Sequence, residues 1–265
     1  ARRRPRPPRR LRPFWPLLAL VALLPAPARA GLEILVPAYF YPVPGSPWNQ
    51  LIADAPRVPI TAILNPGSGP GTFQDLTYVS TVNAFRAAGG RILAYVPTTY
   101  GARAAADIKA DVDTYRAWYA IDGVFLDETP SDNLPAHLDY YADIYQFIKG
   151  RNAGYRVVMN PGTNAAEEYL SRPCADALVL YENGTGYDSY HTDGYVYRYG
   201  RARVAHLLYD VAGAPAMDAR VDQALSRNVG LLFITDDVLS PNPWDTLPAY
   251  WAAEVNRVIA LNVSA

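Results

Sequence analysis

Short apolar runs alternate with longer, mixed segments along most of this chain. Eight of the runs are bounded by turn-forming residues, a pattern typical of strands that are buried on both faces. They follow one another at about the length of a βα unit, on the order of 30 residues. The predicted strands are residues 34–39, 59–65, 91–96, 123–127, 155–160, 177–182, 204–209 and 230–235.

The segments between these runs show the apolar spacing expected of helices. Gly89-Gly90 and Gly150 follow two of them, where glycine commonly ends a helix. We predict helices over residues 76–88, 104–119, 135–149, 164–170, 217–227 and 247–261, the last with Pro248 in its first turn.

Eight strands alternating with helices predict a parallel sheet closed into a (β/α)₈ barrel. An open, doubly wound sheet is the alternative. No G-x-G-x-x-G motif follows the first predicted strand, so the dinucleotide-binding form of that alternative has no support. No Pro-, Gly- or Ser-rich linker divides residues 31–265, which we expect to form one domain.

The first thirty residues have the composition of a targeting segment. Seven arginines precede an apolar run at residues 17–24, and Ala28-Arg29-Ala30 fits the small-x-small pattern of a cleavage site. The apolar run is too short to span a bilayer permanently. We therefore predict that residues 1–30 are a secretory signal peptide, that the mature chain begins at Gly31, and that it is secreted.

Removal of this segment changes the charge of the protein. Eight of the 24 basic residues and none of the 25 acids lie in residues 1–30, so the remaining chain carries a formal charge of −9. An acidic protein is a poor candidate for binding nucleic acid or anionic membranes. It suits neutral or cationic partners, and a partly deacetylated, cationic polysaccharide is one of them.

Cysteine and histidine are too few to predict a redox or metal site. Cys174 is the only cysteine, and the three histidines, His137, His191 and His206, lack the spacing of metal ligands. A serine or cysteine triad built on histidine has no support either. We predict no cofactor and no metal, and the sequence is silent on oligomeric state.

Two of the predicted strands end in carboxylates. Asp127 and Glu128 follow the apolar run at 123–126, and Glu182 ends the run at 177–181. Because ionised groups are costly to desolvate, such positions call for a partner or a function. A pair of carboxylates suits cleavage of a glycosidic bond, which needs one acid and one stabilising or attacking group. The alternative is that each carboxylate caps a helix or pairs with an arginine.

Other polar and aromatic residues follow the predicted strands at the same end. In a (β/α)₈ barrel this is the end that carries the active site. Amides and phenols suit the recognition of sugar hydroxyls, and aromatic faces can stack on pyranose rings, although many tyrosines simply pack helices onto a barrel. The predicted substrate-binding residues are Tyr39, Tyr41, Asn65, Tyr95, Asn160, Tyr209, Asp236 and Trp244.

Six segments of the chain resemble the spherulation-specific family 4, the spherulin-4-like proteins. They are residues 36–42, 63–70, 90–96, 123–128, 160–162 and 242–248, and the resemblance covers nearly all of residues 34–260. It implies a (β/α)₈ fold and a secreted, endo-acting glycoside hydrolase. The implied substrate is an α-1,4-linked exopolysaccharide, as in biofilms, that contains galactosamine or N-acetylgalactosamine. The family's functional acids fall on Asp127, Glu128 and Glu182.

We expect Asp127 to attack or stabilise the anomeric carbon, Glu182 to act as general acid/base, and Glu128 to position substrate or maintain its neighbour's ionisation. In an α-linked galacto sugar the 2-acetamido group is cis to the leaving group and cannot assist, so the protein must supply the nucleophile. Two alternatives remain open. One is a non-catalytic carbohydrate-binding or coat protein on the same barrel. The other is a metal-dependent deacetylase, for which clustered His and Asp ligands are lacking.

Overall fold

The protein is a closed barrel of eight parallel strands, in the order of the sequence, as predicted. The computed structural model describes residues 31–264, so the predicted signal peptide at 1–30 lies outside the described residues. The strands are β1 Glu33–Ala38, β2 Ile60–Leu64, β3 Arg91–Pro97, β4 Gly123–Asp127, β5 Arg156–Met159, β6 Ala177–Asn183, β7 Val204–Leu208 and β8 Leu231–Ile234.

Seven helices are described between and after the strands. They are α1 Trp48–Asp54, α2 Leu76–Ala87, α3 Ala105–Trp118, α4 Pro135–Arg151, α5 Glu168–Ser171, α6 Ala214–Ser226 and α7 Trp251–Val263. Short 3₁₀ turns occupy Thr99–Gly101, Tyr187–Ser189, Gly194–Arg198 and Arg201–Arg203.

The barrel forms because its strands are apolar on both faces. All five residues of β2 and of β7 are buried, and β4 is buried up to its last residue, Asp127. One face of each strand packs inside the barrel and the other under the helices, as parallel sheets require. Pairing of Glu33 with Leu231 and of Ile34 with Leu232 joins β1 to β8 and closes the barrel.

Two glycines allow the chain to pass close to its neighbours at the strand starts. A Cβ on Gly123, at the start of β4, would lie 2.0 Å from the carbonyl oxygen of Arg156. A Cβ on Gly230, just before β8, would lie 2.4 Å from that of Arg201. Both separations are below van der Waals contact, so these positions require glycine.

Three predicted helices differ from the structure. The helix predicted at 247–261 begins only at Trp251, because the residues around Pro248 form a turn in which the Trp251 amide donates to the Pro248 carbonyl. The helix predicted at 164–170 is reduced to the single turn of α5. The helix predicted at 217–227 begins earlier, at Ala214, with Pro215 in its first turn.

Helix α1 was not predicted, because proline and glycine precede it and the segment resembles a loop. Its first residue, Trp48, is buried, and its indole N–H donates to the Phe40 carbonyl at 3.0 Å. Within residues 31–264, no helix is both long and apolar enough to cross a membrane.

Candidate active site

One amide joins two strand-end carboxylates at the mouth of the barrel. The Nδ2 group of Asn160, directly after β5, donates to Asp127 Oδ1 at 2.8 Å and to Glu182 Oε2 at 2.5 Å. Because both bonds start from the same nitrogen, the distance between the two accepting oxygens cannot exceed the combined length of the two hydrogen bonds. Three predicted site residues from three consecutive strands thus meet at one point.

The backbone fixes Asn160 against the end of β4. Its N–H donates to the Leu126 carbonyl at 2.8 Å, and its own carbonyl accepts from the Thr129 N–H at 3.1 Å. The two backbone bonds lie on either side of Asp127, so they hold the backbone of Asn160 beside that of Asp127. The Oδ1 atom of Asn160 is buried and accepts no hydrogen bond from the residues that the structure describes. It is free to accept one from a ligand.

Glu182 has the properties of an acid at neutral pH. Burial, and to a lesser extent the negative charge of Asp127, raise its pKa to about 7, although hydrogen bonds from Asn160 and Trp244 act in the opposite direction. The side chain is still partly exposed, so a ligand can reach it. A carboxyl group that holds its proton near neutral pH can donate it to a leaving group.

A turn and a bulge set the direction of the Glu182 side chain. Gly162 follows Asn160-Pro161 with a φ of +66°, and its carbonyl accepts from the Glu182 N–H at 3.0 Å. A Cβ on Gly162 would lie 3.6 Å from the Cβ of Glu182. In β6 the pairing with β7 shifts register between Val179 and Tyr181, a local bulge. Such bulges re-aim the side chains that follow them.

Glu128 faces a different loop from its neighbour Asp127. Its Oε2 accepts from the backbone N–H of Thr99 at 3.2 Å, and its carbonyl accepts from that of Tyr100 at 2.6 Å. Glu128, Thr99 and Tyr100 all have positive φ, between 49° and 53°. Such conformations are strained for residues other than glycine, and Thr98 secures the turn with its Oγ1 at 2.9 Å from the carbonyl oxygens of both Asp127 and Glu128.

Aromatic rings surround the two bridged carboxylates. Tyr39 and Tyr95 meet edge to face, with ring centroids 5.6 Å apart. Burial and the charge of Asp127 raise the pKa of both phenols, so both are neutral donors. On the other side, Trp244 contacts Tyr209 edge to face at 5.8 Å and lies beside Glu182.

The remaining predicted site residues lie at the same end of the barrel but bond elsewhere. The Asn65 side chain accepts from the Gly69 N–H at 3.1 Å and shapes the loop after β2. Asp236 accepts from the Ala249 N–H at 3.0 Å and holds the segment before α7. Tyr41 donates its hydroxyl proton to Asp75 at 2.9 Å, on the outer side of the mouth.

The histidines and the cysteine take no part in this cluster. His206 is buried with Nδ1 2.8 Å from the Tyr187 hydroxyl, and burial lowers its pKa to about 3. Cys174 is buried beside the Leu138 carbonyl. Across residues 31–264, no group of three or more His, Cys, Asp or Glu side chains is arranged to hold a metal ion.

Sequence analysis missed two contributors to the site. One is Gly162, which the sequence shows only within the family-like segment 160–162, although a glycine two residues after a strand-end amide is a signal for a tight turn. Thr99 had not been noted at all, since its role depends on its backbone and not on its side chain.

The family model for spherulation-specific family 4 matches residues 33–258. The chain belongs to this family. Spherulin-4 of Physarum polycephalum is 32% identical over 272 residues, which cover 94% of this chain and 78% of that protein. Asp127, Asn160 and Glu182 all lie within the segment matched by the family model.

Solved structures show the same barrel. Sph3 of Aspergillus clavatus, crystallised in complex with GalNAc, superposes with a TM-score of 0.76 at 27% identity, over 87% of this chain and 98% of that one. The cyclic α-maltosyl-(1→6)-maltose hydrolase of Arthrobacter globiformis superposes with a TM-score of 0.55 at 12% identity, over 89% and 82% of the two chains. This family 4 chain therefore has a fold like that of glycoside hydrolases.

Proposed function

We propose that this family 4 protein is a secreted, endo-acting glycoside hydrolase that cleaves an α-1,4-linked polysaccharide containing galactosamine or N-acetylgalactosamine. The observation that carries the proposal is the Asp127–Asn160–Glu182 bridge at the barrel mouth. The substrate class is supported by the family resemblance and by Sph3, which was crystallised with GalNAc. Secretion is supported by the composition of residues 1–30.

The spacing of the carboxylates supports a retaining mechanism. Retaining enzymes place the two groups about 5–5.5 Å apart, and inverting enzymes roughly 6.5–9.5 Å apart to admit a water molecule. Two hydrogen bonds of 2.8 and 2.5 Å to one nitrogen keep the nearer oxygens of Asp127 and Glu182 closer together than the inverting range.

The reaction then runs in two steps. In its protonated form, Glu182 gives its proton to the glycosidic oxygen while Asp127 attacks the anomeric carbon; the glycosidic bond breaks and a glycosyl ester forms. Glu182, now a carboxylate, takes a proton from water, whose oxygen attacks the same carbon and releases Asp127. Glu182 is thereby reprotonated. The neutral phenols of Tyr39 and Tyr95 are placed to donate to Asp127 or to sugar hydroxyls.

Glu128 acts in this scheme as a positioning residue. Its carboxylate holds the loop at Thr99–Gly101, and its strained backbone lets the chain turn immediately after Asp127. The unpartnered Oδ1 of Asn160 is available to accept from a sugar hydroxyl or from the N–H of a 2-acetamido group.

Product release from a purified galactosamine-rich exopolysaccharide tests the proposal. The parent protein, residues 31–265, is expected to release oligosaccharides, whereas Asp127→Asn and Glu182→Gln are expected to release none. Asp218→Asn, on the exposed side of α6, is the matched control for a carboxylate-to-amide change and should behave like the parent. Binding of the polymer without release by the parent would instead favour a lectin-like or coat protein.

A further inference from the structure

A pocket lies outside the catalytic mouth, between the segment after β1 and the loop after β2. Its volume is about 270 Å³, and its walls include Tyr41, Phe73, Asp75 and Tyr78. We call it the Tyr41 pocket. The volume is slightly below the ~300 Å³ at which small-molecule sites commonly begin, so it suits a single sugar ring.

Two aromatic rings of the Tyr41 pocket are open to solvent. Phe73 is 69% exposed and Tyr41 is 49% exposed, so both rings are accessible to a ligand. Tyr41 is nevertheless fixed in place, because its hydroxyl donates to Asp75 and its ring meets the buried Tyr78 edge to face at 5.4 Å. A ring that is already immobilised loses little entropy when a ligand stacks on it.

The pocket also carries a negative charge. Although burial acts the other way, hydrogen bonds from Tyr41 and from the backbone at Thr77 and Tyr78 keep the pKa of Asp75 below its usual value, so this carboxyl stays ionised. The pocket walls that the structure describes include no Lys, Arg or His. Aromatic faces beside a carboxylate are the usual setting for binding an organic ammonium group.

Two walls of the Tyr41 pocket follow closely, along the chain, on residues at the catalytic mouth. Tyr41 is two residues from Tyr39, whose ring contacts Tyr95 beside Asp127. On the other wall, Pro66 directly follows Asn65 at the end of β2. A polymer that extends from the catalytic acids past Tyr39 and Asn65 is directed towards this pocket.

We propose that the Tyr41 pocket is an outer subsite that binds a galactosamine ring through its free 2-ammonium group, with Phe73 and Tyr41 as stacking faces and Asp75 as counter-charge. This inference rests on the proposed function for the identity of the polymer. It assigns the subsite a preference for de-N-acetylated residues, so the degree of acetylation would decide where the enzyme engages its substrate.

Binding to the inactive Glu182→Gln protein tests this subsite without turnover. The probes are α-1,4-galactosamine oligosaccharides of equal length, either fully N-acetylated or with free amines, titrated calorimetrically near pH 6, where the amines are charged. The free-amine form should bind on the order of tenfold more tightly, and Asp75→Asn should abolish that preference. Phe73→Ala should weaken the binding of both forms.

Asp75→Asn is chosen because asparagine caps helices as well as aspartate does. Asp75 is the N-cap of α2, accepting from the Thr77 N–H at 2.8 Å, so the variant removes the charge but preserves the cap. An unchanged melting temperature would show that α2 is intact. Asp218→Asn, in the same Glu182→Gln background, should keep the full preference for free amines.

The outcomes separate this inference from the proposed function. Equal binding of the two oligosaccharides by the Glu182→Gln protein, binding of neither, or an unchanged preference when Asp75→Asn is added would overturn the subsite even if the parent hydrolyses the polymer. Loss of the preference in Asp75→Asn would support the subsite even if the parent releases no products.

Discussion

The side-chain amide of Asn160 donates both of its protons to carboxylates, and this arrangement holds the two acids close together. The amide lies between Asp127 and Glu182 and is locked to the end of β4 by its own backbone. Burial is the main cause that raises the pKa of Glu182 to about 7. Glu182, on β6, can therefore hold a proton to donate near neutral pH, and Asp127, on β4, supplies the second carboxyl group.

The pH dependence of hydrolysis should follow the protonation of Glu182. The first step requires the protonated acid, which is lost as pH rises through its pKa, so kcat/KM should fall on the alkaline side with a midpoint near 7. In Asn160→Ala the hydrogen bond that lowers this pKa is gone, so the midpoint should move to higher pH. The rate should also fall, on the order of a hundredfold, because the acids are no longer aligned.

Initial rates measured across the pH range on a soluble oligosaccharide check this prediction. A variant that was merely less well folded would lose rate but keep the midpoint of the parent. An alkaline midpoint that does not move in Asn160→Ala would contradict the bridging role of this amide.

At the scale of the elements, the strands and the starts of α2, α3 and α4 could be predicted closely, but the starts of α5, α6 and α7 could not. Burial on both faces gives a strand an apolar run with clear limits, so β4 was predicted with its observed bounds. Helix α7 was placed too early because Thr246–Pro248 has the composition of a helix start. Its actual role, a turn before Trp251, depends on tertiary contacts.

The sequence predicted which residues lie at the site, but not the contacts among them. The barrel topology places Asp127, Asn160 and Glu182 at one end of the barrel, so the sequence could indicate that they are near one another. It could not indicate that one amide joins the two acids, nor that Glu128 turns towards Thr99. Those features depend on backbone conformations such as the positive φ of Glu128. A positive φ cannot be predicted from the presence of a glutamate.

The turn between β5 and β6 should be sensitive to any side chain at Gly162. Its φ of +66° disfavours alanine by about 1–2 kcal/mol, and the added methyl group would contact Glu182. Gly162→Ala should therefore lower the free energy of unfolding by about that amount. It should also reduce kcat on the order of tenfold by shifting the acid.

Gly150→Ala is the matched control for this substitution. Gly150 lies in α4 with nothing near its missing Cβ, so alanine there should stabilise the protein by about 0.5–1 kcal/mol without affecting kcat. Chemical denaturation measures the free energy of unfolding of each variant, and initial rates measure its kcat. Equal stability and activity of the two variants would contradict a positioning role for the Gly162 turn.

For the molecule as a whole, the buried carboxyl of Glu254 links stability to pH. Glu254, on α7, accepts from the Ile234 N–H at 3.1 Å, and burial raises its pKa well above the usual value. The folded state therefore holds this proton more tightly than the unfolded state does. The contribution is favourable at low pH and is lost as pH rises above the ordinary value for glutamate, about 4.3.

Glu254→Gln should remove this dependence. We expect the variant to melt at a higher temperature than the parent near neutral pH, and the difference to shrink as pH approaches about 4. Melting temperatures of both proteins, with Asp218→Asn as a surface control, check this. A difference that stays constant across the pH range, or that grows towards acid pH, would contradict the assignment.

The most direct test of a retaining hydrolase built on Asp127 and Glu182 is the anomeric configuration of the first product. Proton NMR, recorded before mutarotation, distinguishes the two anomers released from an α-1,4-galactosamine oligosaccharide. We predict that the α-anomer appears first, because two displacements at the same carbon restore its configuration. Initial release of the β-anomer would contradict the attack by Asp127, and release of no product would contradict hydrolysis itself.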